Sequence, residues 1–388
     1  MKVIFLEAVQ NFGGARKSTL ELADRLKCRG NDVLIVDFWG SCKPFIEEVE
    51  KRNLSITFLS KREKPFLLYD QNTIKMVGNY IKYIRLWLIY RKKVKQIIKK
   101  FGAELIVVNN TKVLSILTKS KSYKIAYFAR GWFLPKTISY INLKLFKALV
   151  DIFIAVSQST RQAIFAGGFA KLKDINVVPN AINIKEIQNL LNPKLIVKPW
   201  CEEKSNRPFT ILHCGGFLET KGQHIVLEVV NELKNKGFNF KVLLIGIIYK
   251  GDISEKYFKK IKALIDKYNL NENIEIILNK PNVIEYFSLC DVMIHPSYTE
   301  GLPRVVLEAM SLGKPVIGNA VGGMTDFILN NYTGYLTNFN DINDYVSLIL
   351  KLASDKNLYK SISVNAKMLI EKNYTEENQC NSFMKIKL

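Results

Sequence analysis

Residues 295–310 read HPSYTEGLPRVVLEAM. An apolar run ends at His295, a short loop carries Glu300, and Pro303 stands where the first turn of a helix favours proline. Gly313 predicts the end of that helix, because glycine commonly follows a helix. A strand, a loop and a helix in this order form the repeating unit of a parallel sheet covered by helices.

The same stretch predicts a ligand site. The backbone N–H groups of Gly301 and Leu302 point out of a helix start, where the helix dipole favours an anion or a hydroxyl oxygen. Glu308 lies within an apolar run, and a buried carboxylate requires a partner. Paired hydroxyl groups of a sugar or a ribose would serve. The alternative is that Glu308 lies on the solvent side of an amphipathic helix.

Outward from this stretch, apolar strands alternate with amphipathic helices in two series. The first series of predicted strands is Lys2–Glu7, Asp32–Asp37, Leu105–Asn109, Ile125–Phe128, Ile152–Val156 and Ile175–Val178. The second is Phe209–Cys214, Lys241–Ile247, Ile274–Leu278, Val292–His295 and Pro315–Gly318. This alternation predicts an α/β protein of two tandem Rossmann-like domains, with a ligand cleft between them beyond the carboxyl ends of the strands.

The chain has 388 residues, a length typical of two domains. We place the first domain at residues 1–195 and the second at 206–365. The loose stretch Asn192–Pro208 has the composition of a linker. We expect residues 366–388 to cross back to the first domain.

Two glycine-rich stretches lie beyond predicted strands of the second series. Gly215 and Gly216 follow one strand and precede Lys221, so the backbone can approach a phosphate and the lysine can supply a charge. Gly322 and Gly323 follow another strand and permit a turn close to a ligand. Each stretch alone indicates little, because paired glycines are common in loops.

The charge of the chain is unevenly distributed. Residues 1–200 hold 35 Lys/Arg and 14 Asp/Glu, and so carry +21 of the total +22. No acidic residue occurs between Asp70 and Glu104, where nine basic residues alternate with aliphatic and aromatic ones. Such a segment favours the interface of an anionic membrane. The alternative is a solvated helix face.

The sequence gives no support for a disulfide framework, a metal site, a signal sequence or a membrane span. The six cysteines form no C-x-x-C pair and His213, His224 and His295 show no ligand spacing, so we expect no disulfide framework and no metal site. We find no signal sequence and no apolar run of membrane-spanning length. We therefore expect a cytoplasmic protein, peripheral at the inner face of the membrane.

Three segments resemble, in their order and spacing, the donor domain of glycosyltransferase family 4, which has the GT-B fold. They are the Gly215-Gly216 stretch with Lys221, the stretch from Glu300 to Glu308, and the Gly322-Gly323 stretch. The resemblance extends from about Phe209 to Leu336 and includes Glu300, Glu308 and Gly313. The N-terminal half is also similar, through the Gly13-Gly14-Ala15 opening and two predicted strand ends.

The resemblance implies a retaining transferase that moves a sugar from a nucleotide-sugar donor to a glycan or lipid-linked acceptor, without a metal or another cofactor. It implies catalytic roles for Glu300 and Lys221, and we expect a third catalytic role for Arg130, which stands outside the family pattern. Donor contacts are implied for Gly14, Gly216, Lys221, Glu300, Gly301, Leu302, Glu308 and Gly323. Lys221 would neutralise the diphosphate, Glu300 would contact sugar hydroxyls, and Glu308 would hold the ribose.

Two positions depart from the family pattern. Phe217 stands where many members carry an arginine beside the diphosphate, and Ala129-Arg130 stands where many carry a histidine in the acceptor domain. Arg130 and Arg16 are candidates for the missing cation.

Other functions remain open from the residues themselves. One is a nucleic-acid binder, suggested by the basic half, although no recognition-helix pattern is present and we expect no nucleic-acid partner. Another is a basic membrane-binding protein that binds nucleotide sugars without transferring them.

Overall fold

The computed structural model describes residues 1–60, 73–131, 140–191, 200–202, 207–249, 252–280 and 282–388, and only the backbone of 73–83 and 140–141. Most of the predicted linker lies outside these residues. The chain divides into two compact units. Unit 1 comprises Met1–Pro179 and Glu376–Leu388, and unit 2 comprises Asn180–Thr375.

Unit 1 is built on a sheet whose seven described strands are all parallel. The strands are β1 (Lys2–Glu7), β2 (Asp32–Asp37), β3 (Ser55–Phe58), β4 (Leu105–Val108), β5 (Lys124–Ala129), β6 (Ile152–Ala155) and β7 (Ile175–Val177). Their order is β3-β2-β1-β4-β5-β6-β7. The central strands are continuously apolar and buried, as expected when helices cover both faces.

Between these strands run six helices of unit 1. They are α1 (Gly14–Cys28), α2 (Lys43–Lys51), α3 (Thr73–Phe101), α4 (Thr111–Leu114), α5 (Tyr140–Leu149) and α6 (Gln158–Ala166). Helix α3 turns Tyr90, Val94 and Ile98 into the core, four residues apart as one face of a helix requires. No helix among the described residues combines the length and apolar character needed to cross a membrane.

Unit 2 repeats the arrangement with six described parallel strands in the order β10-β9-β8-β11-β12-β13. These are β8 (Phe209–Cys214), β9 (Phe240–Gly246), β10 (Ile274–Leu278), β11 (Val292–His295), β12 (Val316–Asn319) and β13 (Tyr335–Thr337). Its helices are α7 (Ile184–Leu190), α8 (Gln223–Asn235), α9 (Asp252–Lys267), α10 (Ile284–Leu289), α11 (Arg304–Ser311), α12 (Ile342–Ser354) and α13 (Lys356–Asn373).

The last helix, α14 (Glu376–Met384), packs within unit 1. Arg25 on α1 donates to the Glu376 carboxylate at 2.9 Å. Phe383 packs against Phe5 of the central strand β1, with ring centres 6.3 Å apart. The C-terminal residues thus contribute to the core of the unit that contains the N-terminus.

The predicted strands are found with each end within one residue of the expected position. The edge strands β3 and β13 were not predicted, because four and three residues of mixed polarity give no clear pattern. Pro303 immediately precedes α11 with extended backbone angles, so its predicted place in the first turn is wrong by one residue.

Candidate functional site

The candidate site lies where β8 and β11 end side by side. The two strands pair in parallel, with Ile211 beside Val292 and Leu212 beside Met293. The strand order of unit 2 reverses at this pair, since β9 lies on one side and β12 on the other. The loops after two such strands diverge and leave a crevice at the carboxyl edge of the sheet, where α/β proteins bind ligands.

The loop after β8 is tied to the loop after β11. The carbonyl of Thr220 accepts hydrogen bonds from the Ser297 hydroxyl at 3.1 Å and from the Tyr298 N–H at 2.8 Å. Gly222 adopts a φ of +72°, and a Cβ there would lie 2.2 Å from the Pro296 carbonyl oxygen. Only glycine therefore allows this approach, which brings Lys221 to the β11 loop.

The loop after β12 contacts the backbone of Glu300. The N–H of Gly323 donates to the Glu300 carbonyl at 3.2 Å. Gly322 has a φ of +48°, and a Cβ there would lie 1.8 Å from the same carbonyl oxygen. The paired glycines noted in the sequence thus allow the loop after β12 to contact the residue predicted to bind the sugar.

The central feature of the site is the carboxylate of Glu300, which is 8% exposed. Its Oε1 accepts from Lys221 Nζ at 2.6 Å and from His295 Nε2 at 2.9 Å. Burial alone would raise the pKa of Glu300, but the charge of Lys221 and the hydrogen bond from His295 outweigh it and hold that pKa well below its usual range. Glu300 is therefore an ionised hydrogen-bond acceptor, and a poor proton donor.

Two buried histidines lie behind this carboxylate. Because a carboxylate only accepts, Nε2 of His295 carries the proton in its bond to Glu300. His213 likewise donates from Nδ1 to the Ile294 carbonyl at 3.1 Å. The two rings stack with centres 6.1 Å apart. Burial and the neighbouring His295 lower the pKa of His213 to about 3, so its ring is neutral.

Glu308 lies on the buried face of α11 and is 8% exposed. The alternative of a solvent-facing Glu308 is therefore wrong. Arg304 lies one turn earlier, with Nη2 3.5 Å from the Glu308 carboxylate, and it also donates to the Ala181 carbonyl. The buried charge thus has the partner that its setting requires.

The remaining predicted residues of unit 2 lie on the same loops. Gly301 and Leu302 are buried between Glu300 and α11, and the Leu302 carbonyl accepts from Asn180 at 2.7 Å. The Gly216 carbonyl accepts from Gln223 at 2.9 Å. Phe217 is fully buried in the core, so the position where the family pattern has an arginine brings no charge to this site.

Gly14 and Arg130 belong to unit 1, whereas the other seven predicted site residues lie in unit 2. Gly14 is exposed as the first residue of α1. Arg130 follows β5, donates to the Ser18 hydroxyl at 2.8 Å and lies 3.9 Å from the Phe128 ring centre. Arg16 pairs with Glu7 at 3.4 Å.

Within the described part of the chain, no three His, Cys, Asp or Glu side chains converge as a metal ion would require.

Comparisons with known proteins agree with this arrangement. The family model described as "Glycosyl transferases group 1" matches residues 198–368, and that described as "Glycosyltransferase Family 4" matches residues 12–186. The chain belongs to the group 1 glycosyltransferases of family 4. A relative of this glycosyltransferase is the capsular polysaccharide biosynthesis glycosyltransferase CapM of Staphylococcus aureus. It is 26% identical in an alignment of 366 residues that covers 88% of this chain and 93% of CapM.

Solved structures share the fold. A glycosyltransferase from Rickettsia africae gives a TM-score of 0.79 at 21% identity, covering 99% of this chain and 97% of its own. The structure of Anabaena Alr3699/HepE in complex with UDP-glucose gives a TM-score of 0.79 at 20% identity. The match covers 99% of this chain and 98% of the HepE chain. The predicted α/β fold with two Rossmann-like domains of the GT-B type is confirmed.

Two residues of this glycosyltransferase escaped the sequence reasoning. His295 was considered only as a metal ligand, but its Nε2 contacts Glu300. Gly222 had no assigned role, yet it permits the contact between the loops after β8 and β11. The position of His295 at the end of a predicted strand, five residues before Glu300, was the available signal.

The neutral state of buried His213 predicts how the free energy of unfolding depends on pH. Its pKa is 6.5 in the unfolded chain and about 3 in the fold, so protons bind preferentially to the unfolded state between those values. This contribution to stability is therefore complete above pH 6.5 and is lost as the pH falls towards 3. Between pH 7 and 5, wild type should lose about 2 kcal/mol more unfolding free energy than His213→Asn. Urea unfolding at both pH values measures this, and equal losses in the two proteins would contradict it.

Proposed function

We propose that this enzyme is a retaining hexosyltransferase that transfers a sugar from a nucleotide-sugar donor to a glycan or lipid-linked acceptor in cell-surface polysaccharide or lipopolysaccharide biosynthesis. The observation that carries the proposal is the pairing of Lys221 with the buried Glu300 carboxylate at the point where the strand order of unit 2 reverses. The names of the relatives add support: CapM acts in capsular polysaccharide biosynthesis, and HepE was crystallised with UDP-glucose.

The donor-site roles follow from the chemistry of each group. Lys221 is a charged group on a flexible stem, 29% exposed, and suits the diphosphate of the donor. Glu300 accepts hydrogen bonds from sugar hydroxyls, and the backbone of Gly301, Leu302 and Gly323 lies beside it. Glu308 accepts from the ribose hydroxyls. Gly216 allows the first loop to pass close to the phosphates.

In the proposed reaction the bond between the anomeric carbon and the diphosphate oxygen breaks, and its electron pair leaves with the diphosphate. Lys221 and the loop N–H groups stabilise the charge that develops there. The acceptor hydroxyl attacks the same face and passes its proton to the departing diphosphate oxygen, so configuration is retained. Glu300 stays ionised and does not act as the acid of a hydrolase pair. The roles predicted for Gly14 and Arg130, and the prediction that no metal or cofactor takes part, stay predictions.

The exposed face of α3 supports a second element of the proposal, docking on an anionic membrane at the inner face. Ile84, Leu88 and Ile89 are 58%, 56% and 52% exposed. The same side carries the exposed basic residues Arg85, Lys92, Lys95, Lys99 and Lys100. Apolar residues beside basic ones on one helix face fit the lipid headgroup region.

Trp87 and Tyr90 of α3 take no part in this surface. Tyr90 lies in the core, and Trp87 donates to the Ser115 carbonyl at 3.1 Å. We name the exposed set of three aliphatic and five basic residues the α3 surface.

The donor-site proposal predicts a large effect of Lys221→Ala. A thermal-shift screen with UDP, GDP and ADP sugars first identifies the donor, and release of its nucleoside diphosphate then measures turnover. Removing a group that stabilises transition-state charge should lower kcat/KM about 100-fold. Lys260→Ala is the control, because Lys260 is an exposed lysine on α9, paired with Glu219 at 3.5 Å. Wild-type kcat/KM in Lys221→Ala would contradict the assigned role.

The α3 surface predicts charge-dependent lipid binding. Each lysine near an anionic bilayer contributes about 1 kcal/mol, so Lys92→Gln/Lys95→Gln/Lys99→Gln should bind phosphatidylglycerol vesicles about 100-fold more weakly at low salt. The control removes the same charge from the exposed lysines Lys121, Lys171 and Lys173. Co-sedimentation measures both. Equal binding by the two triple variants would show that α3 is not the docking surface.

A further inference from the structure

The hydrogen bonds of Glu300 are distributed unequally over its carboxylate. Lys221 and His295 both donate to Oε1, at 2.6 and 2.9 Å. Oε2 receives no hydrogen bond from the described residues. One oxygen is therefore fixed by the protein, and the other is left to accept from a ligand.

The two donors differ in how firmly they are held. Lys221 ends a short 3-10 helix, and its side chain is partly exposed on a stem of four methylene groups. His295 is the last residue of β11, where it pairs with Gly318 of β12, and is buried. A histidine on a paired strand keeps its position far better than a lysine on a loop.

Binding of the nucleotide-sugar donor affects Lys221 and His295 differently. On the proposed function, from which this inference follows, Lys221 turns to the diphosphate. Its bond to Glu300 is then weakened or lost at the moment when the carboxylate must hold the sugar. His295 is the remaining neighbour that can keep Oε1 in place.

We propose that His295 is a positioning residue: its Nε2–H holds Oε1 of Glu300 while Lys221 neutralises the diphosphate, so that Oε2 is presented to a sugar hydroxyl. The strand-end histidine thereby affects recognition of the sugar, and not of the nucleotide. It touches neither donor nor acceptor in this role.

The test compares two affinities in one set of variants. The nucleotide sugar found by the screen and the matching nucleoside diphosphate are titrated by calorimetry in the absence of acceptor. His295→Leu removes the donor to Oε1 and should weaken nucleotide-sugar binding about 10- to 100-fold, with nucleoside diphosphate affinity within about threefold of wild type. His295→Gln should restore most of the loss, because the glutamine amide can donate from a similar position.

The matched control is His213→Asn. His213 is equally buried on the neighbouring strand, but its bond goes to the Ile294 carbonyl and not to Glu300. Asparagine can keep a donor to that carbonyl. The ratio of the two affinities should stay at the wild-type value.

A double-mutant cycle separates positioning from general damage to unit 2. In a Glu300→Ala background, His295→Leu should change nucleotide-sugar affinity less than about twofold, because the carboxylate it positions is absent. An equal fall of both affinities in His295→Leu, or an undiminished effect in the Glu300→Ala background, would overturn the proposal. A wild-type enzyme that binds no nucleotide sugar would overturn the proposed function as well.

Discussion

The hydrogen bond from Lys221 to Glu300 joins side chains 79 positions apart in the chain. It exists because β8 and β11 are parallel neighbours, so the loops that follow them start from the same edge of the sheet. Gly222 and Gly322 then let three loops approach to distances that a Cβ would forbid. The geometry of the proposed donor site therefore rests on strand pairing and on two glycines, before any polar group is considered.

Electrostatics determines what this geometry can do. A buried carboxylate without partners would take up a proton or destabilise the fold. Lys221 and His295 keep Glu300 ionised, and Arg304 provides a partner for Glu308. Glu300 is thereby kept as a hydrogen-bond acceptor, and Glu308 has a charged partner within unit 2. Acceptors of this kind suit the hydroxyl groups of a sugar and a ribose, which fits a transferase better than a hydrolase.

Much of the fold was predictable from the sequence, since continuous apolar runs such as Leu105–Val108 leave little choice of structure. The glutamates and Lys221 were predictable because their spacing resembles a known family. The contact of His295 with Glu300 was not, because the path of a five-residue loop depends on what packs against it. Likewise, a φ of +72° at Gly222 cannot be read from one glycine among 21. Phe217 stands where the family pattern has an arginine, and its side chain packs in the core. That burial depends on the surrounding fold and could not be predicted from the sequence.

The most direct test is a crystal structure of the enzyme with its nucleotide-sugar donor. The account predicts that Lys221 Nζ lies within hydrogen-bond distance of a diphosphate oxygen, and that Glu300 accepts from a sugar hydroxyl while keeping its bond to His295. A donor bound away from the carboxyl ends of β8 and β11, with the Lys221–Glu300 bond intact, would contradict it.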